Sequence, residues 1–330
     1  MKKSLETYLS GILDYAGLNP PTNLSLRESF SNFVKHKQSP YSWMISKFVV
    51  GSDLLDPLVK LINEYDKSPV PFNLTVVAVP SSSLTEYKQV VTDVVKQIAT
   101  MYSVAEKEIR VPTLEIKLPE ESLYGSDNRT LIEAVAYTVK IMNRSKKLPH
   151  QVFFEIPGYD FEPKLCQKVM KVISAHNLLT QNDEFDSYSF SGFKIRCGGV
   201  EMHQFPSSKY LANAIIFSRD ENVPVKFTAG LHHPIRHYNE SLEAKMHGFI
   251  NVFGSAILSY TQDLTVQEVQ TVLEDKNPKS FSFTDQYFAW RELAAPLLEI
   301  KMLRLLSVTS FGSCSFEEPV EDLKGLKLLT

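Results

Sequence analysis

Short β-rich runs recur along this chain, and each is followed by a segment of helical periodicity. The runs are WMISKFVV (43–50), LTVVAVP (74–80), TLEIKLP (113–119), QVFFEIP (151–157), GFKIRCGG (192–199), VKFTAG (225–230) and LSVTSFGS (306–313). From 43 to 225 their starts fall roughly 30 to 40 residues apart, about the length of one βα unit. That rhythm demands parallel strands joined by crossover helices. Between them, Leu84 to Ser103 follows Ser83 and has Glu86 three residues on, a capping-box pattern, with Val90, Val91, Val94, Val95 and Ile98 on one face. Pro163 to Asn177, Ser207 to Glu221 and Leu242 to Tyr260 are expected to be helical on similar grounds. Asp263 to Leu305 reads as two further helices with a short strand at Phe281 to Phe283.

Seven strands and this eighth fit a TIM-type (β/α)8 barrel of the α/β class. The expected organisation is an N-terminal helical extension over 1–40, where MKKSLETYLSGILDYAGL reads as an amphipathic helix, and a barrel over 41–330. A doubly wound open sheet is the rival, but the chain has neither GxGxxG after its first strands nor GxxxxGK[ST] anywhere.

Composition excludes several classes. With 43% hydrophobic and 22% charged residues over 330 positions, the chain can bury a sizeable core. A net charge of −3 lacks the basic excess that nucleic acid binding requires. No secretory signal and no run of roughly 18 apolar residues occurs, so no membrane partner and a cytoplasmic location are expected. The cysteines, Cys166, Cys197 and Cys314, are too scattered for a disulfide framework or a CxxC metal site. The oligomeric state stays open, a homo-oligomer included.

Side chains alternate faces along a strand, so parity sorts them. Glu115 and Lys117 share one face of TLEIKLP, opposite Leu114 and Ile116; Lys194 and Arg196 share one face of GFKIRCGG, opposite Phe193 and Ile195. Lys226 opposes Val225 and Phe227, and Glu155 lies near the end of its strand. In a barrel the apolar parity packs on the helices and the polar parity points to the axis, which puts these six charged residues in one lumen. Such a concentration is a heavy desolvation burden for packing alone and points to catalysis or anion binding. Adjacent cations are also expected to depress a lysine's pKa and make it a nucleophile.

The paired lysine strands FKIRCGG and VKFTAGL, with lysines 32 residues apart, and the closing SFGSCS (310–315) resemble the deoxyribose-phosphate aldolase family. That resemblance implies a class I aldolase-type lyase without a cofactor, with Lys194 as the Schiff-base lysine and Lys226 tuning it. It also implies that Gly198, Gly199, Gly230, Gly312 and Ser313 offer donors to a phosphate. The chain departs from the family by having Glu115 and Lys117 where the third strand should carry an aspartate. Arg196 takes a small polar position, and GLHHPIRH has no counterpart; a separate bacterial family sharing only the barrel fits these departures.

His232, His233, His237 and His247 fall within 16 residues, with Arg236 among them. His232 and His233 are candidates for acid/base work, and Arg236 and His237 for anion contact. The alternative is a divalent metal on His233, His237 and Glu155, serving a hydrolase or lyase, although Pro234 disfavours the regular helix that an i, i+4 pair needs. The expected function is therefore a barrel enzyme for a small anionic carbonyl metabolite, phosphorylated or carboxylated; a non-catalytic metabolite-binding barrel is the remaining alternative.

Overall fold

The structure, a computed structural model, describes residues 1–65, 71–125, 127–145, 147–159, 161–180 and 190–329. The chain runs through α1 (Lys3–Leu9), β1 (Leu13–Tyr15), α2 (Leu26–Lys37), β2 (Ile45–Gly51), α3 (Leu55–Glu64), β3 (Phe72–Val77), α4 (Leu84–Val104) and β4 (Ile109–Lys117). It continues through α5 (Arg129–Met142), β5 (Gln151–Glu155), α6 (Pro163–Thr180), β6 (Phe190–Arg196), α7 (Ser208–Asp220) and β7 (Val225–Thr228). A hairpin of β8 (His237–Asn239) and β9 (Ala244–Met246) leads into α8 (Phe249–Thr261) and α9 (Val266–Glu274). Then come β10 (Phe281–Phe283), β11 (Tyr287–Trp290), β12 (Leu293–Pro296), α10 (Leu297–Leu306), β13 (Val308–Ser313) and α11 (Glu317–Gly325).

Strands β1 to β7 and β13 close a parallel barrel in that order, with β13 pairing both β7 and β1. This is the TIM-type α/β fold that the strand rhythm predicts. The parity reading also holds: Leu114, Ile116, Phe193, Val225 and Phe227 are buried beneath the helices. On α4, Val91, Val94, Ile98 and Met101 are buried, and each such side chain contributes on the order of 1.5–3 kcal/mol. Ser83 Oγ accepts the Glu86 N–H at 3.2 Å, but Glu86 Oε2 turns to the Ser82 N–H at 2.8 Å, so the box closes one residue early.

Two expectations are corrected. The N-terminal helix stops at Leu9, because Gly11 takes φ +56 and turns the chain into β1, which pairs with β2 and β13. The barrel thus begins at residue 13 and not at 41. Phe281–Phe283 is not the eighth barrel strand either: it forms a small antiparallel sheet with β11 and β12 outside the barrel. Residues 242–248, expected as the start of a helix, supply β9 and the turn before α8. Among the described residues no helix is long and apolar enough to cross a membrane.

Candidate functional site

Alternation along β1, β4, β5, β6 and β7 sends one carboxylate or cation per turn of parity into the lumen, where they form a single chain of contacts. Lys226 Nζ donates to Asp14 Oδ2 and pairs with Glu115 Oε1 at 2.6 Å. Lys194 Nζ lies 2.6 Å from Glu115 Oε2 and 2.8 Å from Glu155 Oε2, and Arg196 Nη2 reaches Glu155 Oε1 at 3.0 Å. At the far end Lys47 Nζ approaches Asp14 Oδ1 at 3.4 Å, while Ser310 and Thr75 donate hydroxyls to Asp14 Oδ2 at 3.1 and 3.3 Å. Glu115 is therefore the central link between two buried ammonium groups.

The signs of the pKa shifts follow from this alternation. Burial alone would raise the Asp14 and Glu155 carboxyls, but Lys226 and Lys47 beside Asp14, and Lys194 and Arg196 beside Glu155, bring each down to about 2. Glu115 is lowered for the same reason, against its burial. Lys194 and Lys226 move up: burial opposes their charge, yet the flanking carboxylates outweigh it. The expected depression of the reactive lysine pair by neighbouring cations is thus reversed, since each lysine touches two carboxylates. Lys117 behaves in the opposite way. Burial lowers its pKa, Arg196 and Lys194 lower it further against Glu155, and among the described residues no carboxylate pairs with it.

The lumen as described holds five cations, Lys47, Lys117, Lys194, Arg196 and Lys226, against the carboxylates of Asp14, Glu115 and Glu155. Positive charge is in excess by two. That excess faces a cavity of about 320 Å³ at the C-terminal ends of the strands, lined by Lys117, Arg196, Lys194, Glu115 and Glu155 below and by Gly199, Gly230 and Gly312 at the rim. Tyr159 covers the Arg196 guanidinium, 5.3 Å from ring centroid to Cζ. His232 and Cys314 line the same cavity.

Other expected residues lie elsewhere. Gly198 is packed against Phe205 and Gly230, and Ser313 donates its hydroxyl to the Ser315 carbonyl at 2.7 Å, so neither lines the cavity. Arg236 and His237 line a separate cavity of about 450 Å³ with His233, whose Nδ1 lies 2.5 Å from Asp322 Oδ2. His233 and His237 do stack edge to face, centroids 4.4 Å apart, but Glu155 is engaged by Lys194 and Arg196 in the lumen. The set His233, His237 and Glu155 is therefore not assembled, and among the described residues no group of three His, Cys, Asp or Glu side chains is arranged to hold a metal ion. His247 is buried between the Arg236 guanidinium and the Pro206 carbonyl; burial and Arg236 push its pKa down to about 4.

Sequence reasoning missed Asp14, Lys47, Thr75 and Ser310. Lys47 carries the same signal as Lys226, a lysine inside the apolar run WMISKFVV. Asp14 would have needed Gly11 to be read as a helix stop.

One rim contact yields a prediction. Gly230 has φ +69, and a Cβ there would lie 2.8 Å from Gly198 Cα, so the ends of β6 and β7 touch only because both residues are glycine. Gly230→Ala is expected to cost about 2–3 kcal/mol by urea denaturation, from the left-handed φ and the overlap together. An unchanged midpoint would disprove that close packing.

Compared with known proteins, the chain matches no family model and no curated protein sequence. The class that fold and site define is a (β/α)8 barrel with a charged lumen opening into a cationic cavity.

Proposed function

We propose that this barrel is an enzyme acting on a small anionic carbonyl metabolite, phosphorylated or carboxylated, through an imine formed on a lysine of the cavity. The observation that carries the reading is the surplus of positive charge over the lumen carboxylates: Lys117 lines the cavity with no carboxylate paired to it among the described residues, and Arg196 lines it while sharing Glu155 with Lys194. An anion entering there meets positive charge that the lumen carboxylates do not fully neutralise, even with Lys117 as a neutral amine. The protein is taken to be cytoplasmic, with a small molecule as its partner.

The resemblance to the aldolase family makes Lys194 the reactive amine. The electrostatics favour Lys117, because an amine must be neutral to attack and Lys194 is held as an ammonium between two carboxylates. In this mechanism the Lys117 amine adds to the carbonyl carbon and the carbinolamine loses water. The Lys194 ammonium delivers the proton that departs with the hydroxide. The iminium then serves as electron sink for C–C cleavage or isomerisation, with Glu155 moving the remaining proton. Arg196 and the rim glycines hold the anionic group.

Small phosphorylated or carboxylated aldehydes incubated with the protein and borohydride test this, with adducts located by peptide mass mapping. An adduct on the Lys117 peptide is expected, absent in Lys117→Ala and slowed by about 10²–10⁴ in Lys194→Met. An adduct on Lys194 instead would restore the family assignment, and none on any lysine would sink imine chemistry.

A further inference from the structure

Cys314 follows β13 and His232 lies in the loop after β7, and both line the cavity. Cys314 Sγ lies 3.6 Å from His232 Nε2, and His232 Nδ1 lies 2.8 Å from Glu318 Oε2. Glu318 is fixed in the first turn of α11, where its N–H donates to Ser315 Oγ at 3.2 Å. Thiol, imidazole and carboxylate thus stand in the order that activates a nucleophile, with the carboxylate orienting the ring and the ring facing sulfur. The other cysteines have no such setting: burial raises the Cys166 thiol to about 12 and raises Cys197 as well.

We propose that Cys314, His232 and Glu318 form a second nucleophilic centre in this cavity, one that takes an acyl group from a small activated ester or thioester onto sulfur. With the shared proton held on His232 Nε2, the Cys314 sulfur bonds the carbonyl carbon and the C=O π pair moves to oxygen. Collapse expels the alkoxide or thiolate, which leaves with the proton from His232. Water then attacks the thioester, giving up a proton to His232, and the departing sulfur takes it back as the carboxylic acid is released. A thiol–imidazole pair is suited to acyl transfer because the ring must accept and return a proton in each half. The surplus positive charge of the cavity favours the developing oxyanion.

The charged and titratable groups around His232 come from several elements. Glu317 and Glu318 lie on α11, His233 adjoins His232 in the loop after β7, and Tyr15 faces the sulfur from β1. Lys117, Lys194 and Arg196 share the cavity floor. Burial disfavours the imidazolium, but the contacts with Cys314 and Glu318 outweigh it and push the His232 pKa up to about 10.

Alkylation by iodoacetamide, read by mass on the Cys314 peptide, tests the contact between Cys314 and His232. At about pH 7 alkylation of Cys314 is expected to run about tenfold faster in the wild type than in His232→Gln, because the ring that faces the sulfur is removed. With 4-nitrophenyl acetate, a burst of one equivalent of nitrophenolate should leave an acetyl group on the Cys314 peptide, and Cys314→Ala should abolish both. Wild-type Cys314 alkylated no faster than Cys314 in His232→Gln, or a burst without acetyl on Cys314, would overturn the proposal. The site of acetylation in the wild type decides even where a variant does not fold. Failure here reads out on the Cys314 peptide and failure of the imine reading on the Lys117 peptide, so the two are distinguishable.

Discussion

Glu115→Gln is expected to lower the urea-denaturation stability by about 3–5 kcal/mol, the largest single effect among the lumen residues. The carboxylate accepts from both Lys194 and Lys226, which are 7% and 1% exposed, and an amide cannot neutralise either. Each ammonium keeps one other carboxylate, Glu155 for Lys194 and Asp14 for Lys226, so the loss is that of the shared charge and not of the whole network. Adding Lys194→Met should recover part of the loss, because one ammonium no longer needs a partner; a coupling energy of about 1 kcal/mol or more is expected. A Glu115→Gln midpoint equal to the wild type would show that the lumen charges are solvated and not matched to one another.

Acid should destabilise the barrel through the same chain. Asp14 and Glu155 have folded pKa values of about 2, below their ordinary values of 3.8 and 4.5. Both bind protons less tightly folded than unfolded, so their contribution is fully present above about pH 5 and is lost as pH falls towards about 2. At about 1.4 kcal/mol per pKa unit Asp14 contributes roughly 2–3 kcal/mol and Glu155 roughly 3–4 kcal/mol, the pair roughly 6 kcal/mol. Urea midpoints at about pH 7, 5 and 3 should therefore decline most over the last interval. Asp14→Asn should be less stable at neutral pH, through the unpaired Lys226, and show a shallower acid slope. Equal midpoints at about pH 7 and 3 would contradict the matched-charge picture.

Much of the architecture was legible because it is local. Period-two alternation assigned Glu115, Lys117, Lys194, Arg196 and Lys226 to the lumen without any coordinates, since each strand's parity is fixed by its own backbone. The spacing of the strands announced parallel βα units for the same reason. The first strand was not legible: β1 has three residues, and a helix-like pattern runs into it across Gly11. Phe281–Phe283 misled in the other direction, because a strand pattern does not say which sheet it joins.

The candidate site divides along the same line. Which side chains face inward was set by neighbours in sequence, and so was the surplus of lysine and arginine among them. Which of them touch was not: Asp14 and Lys226 are 212 residues apart, and His232 and Cys314 meet over 82. Barrel closure brings those pairs together, and proximity to a carboxylate decides whether a buried lysine is held charged, as Lys194 and Lys226 are, or pushed towards neutrality, as Lys117 is. Sequence alone determined that this protein folds as a barrel with a charged interior; only the tertiary structure decided the partners of those charges, because electrostatic energy depends on distance in space and not on order along the chain.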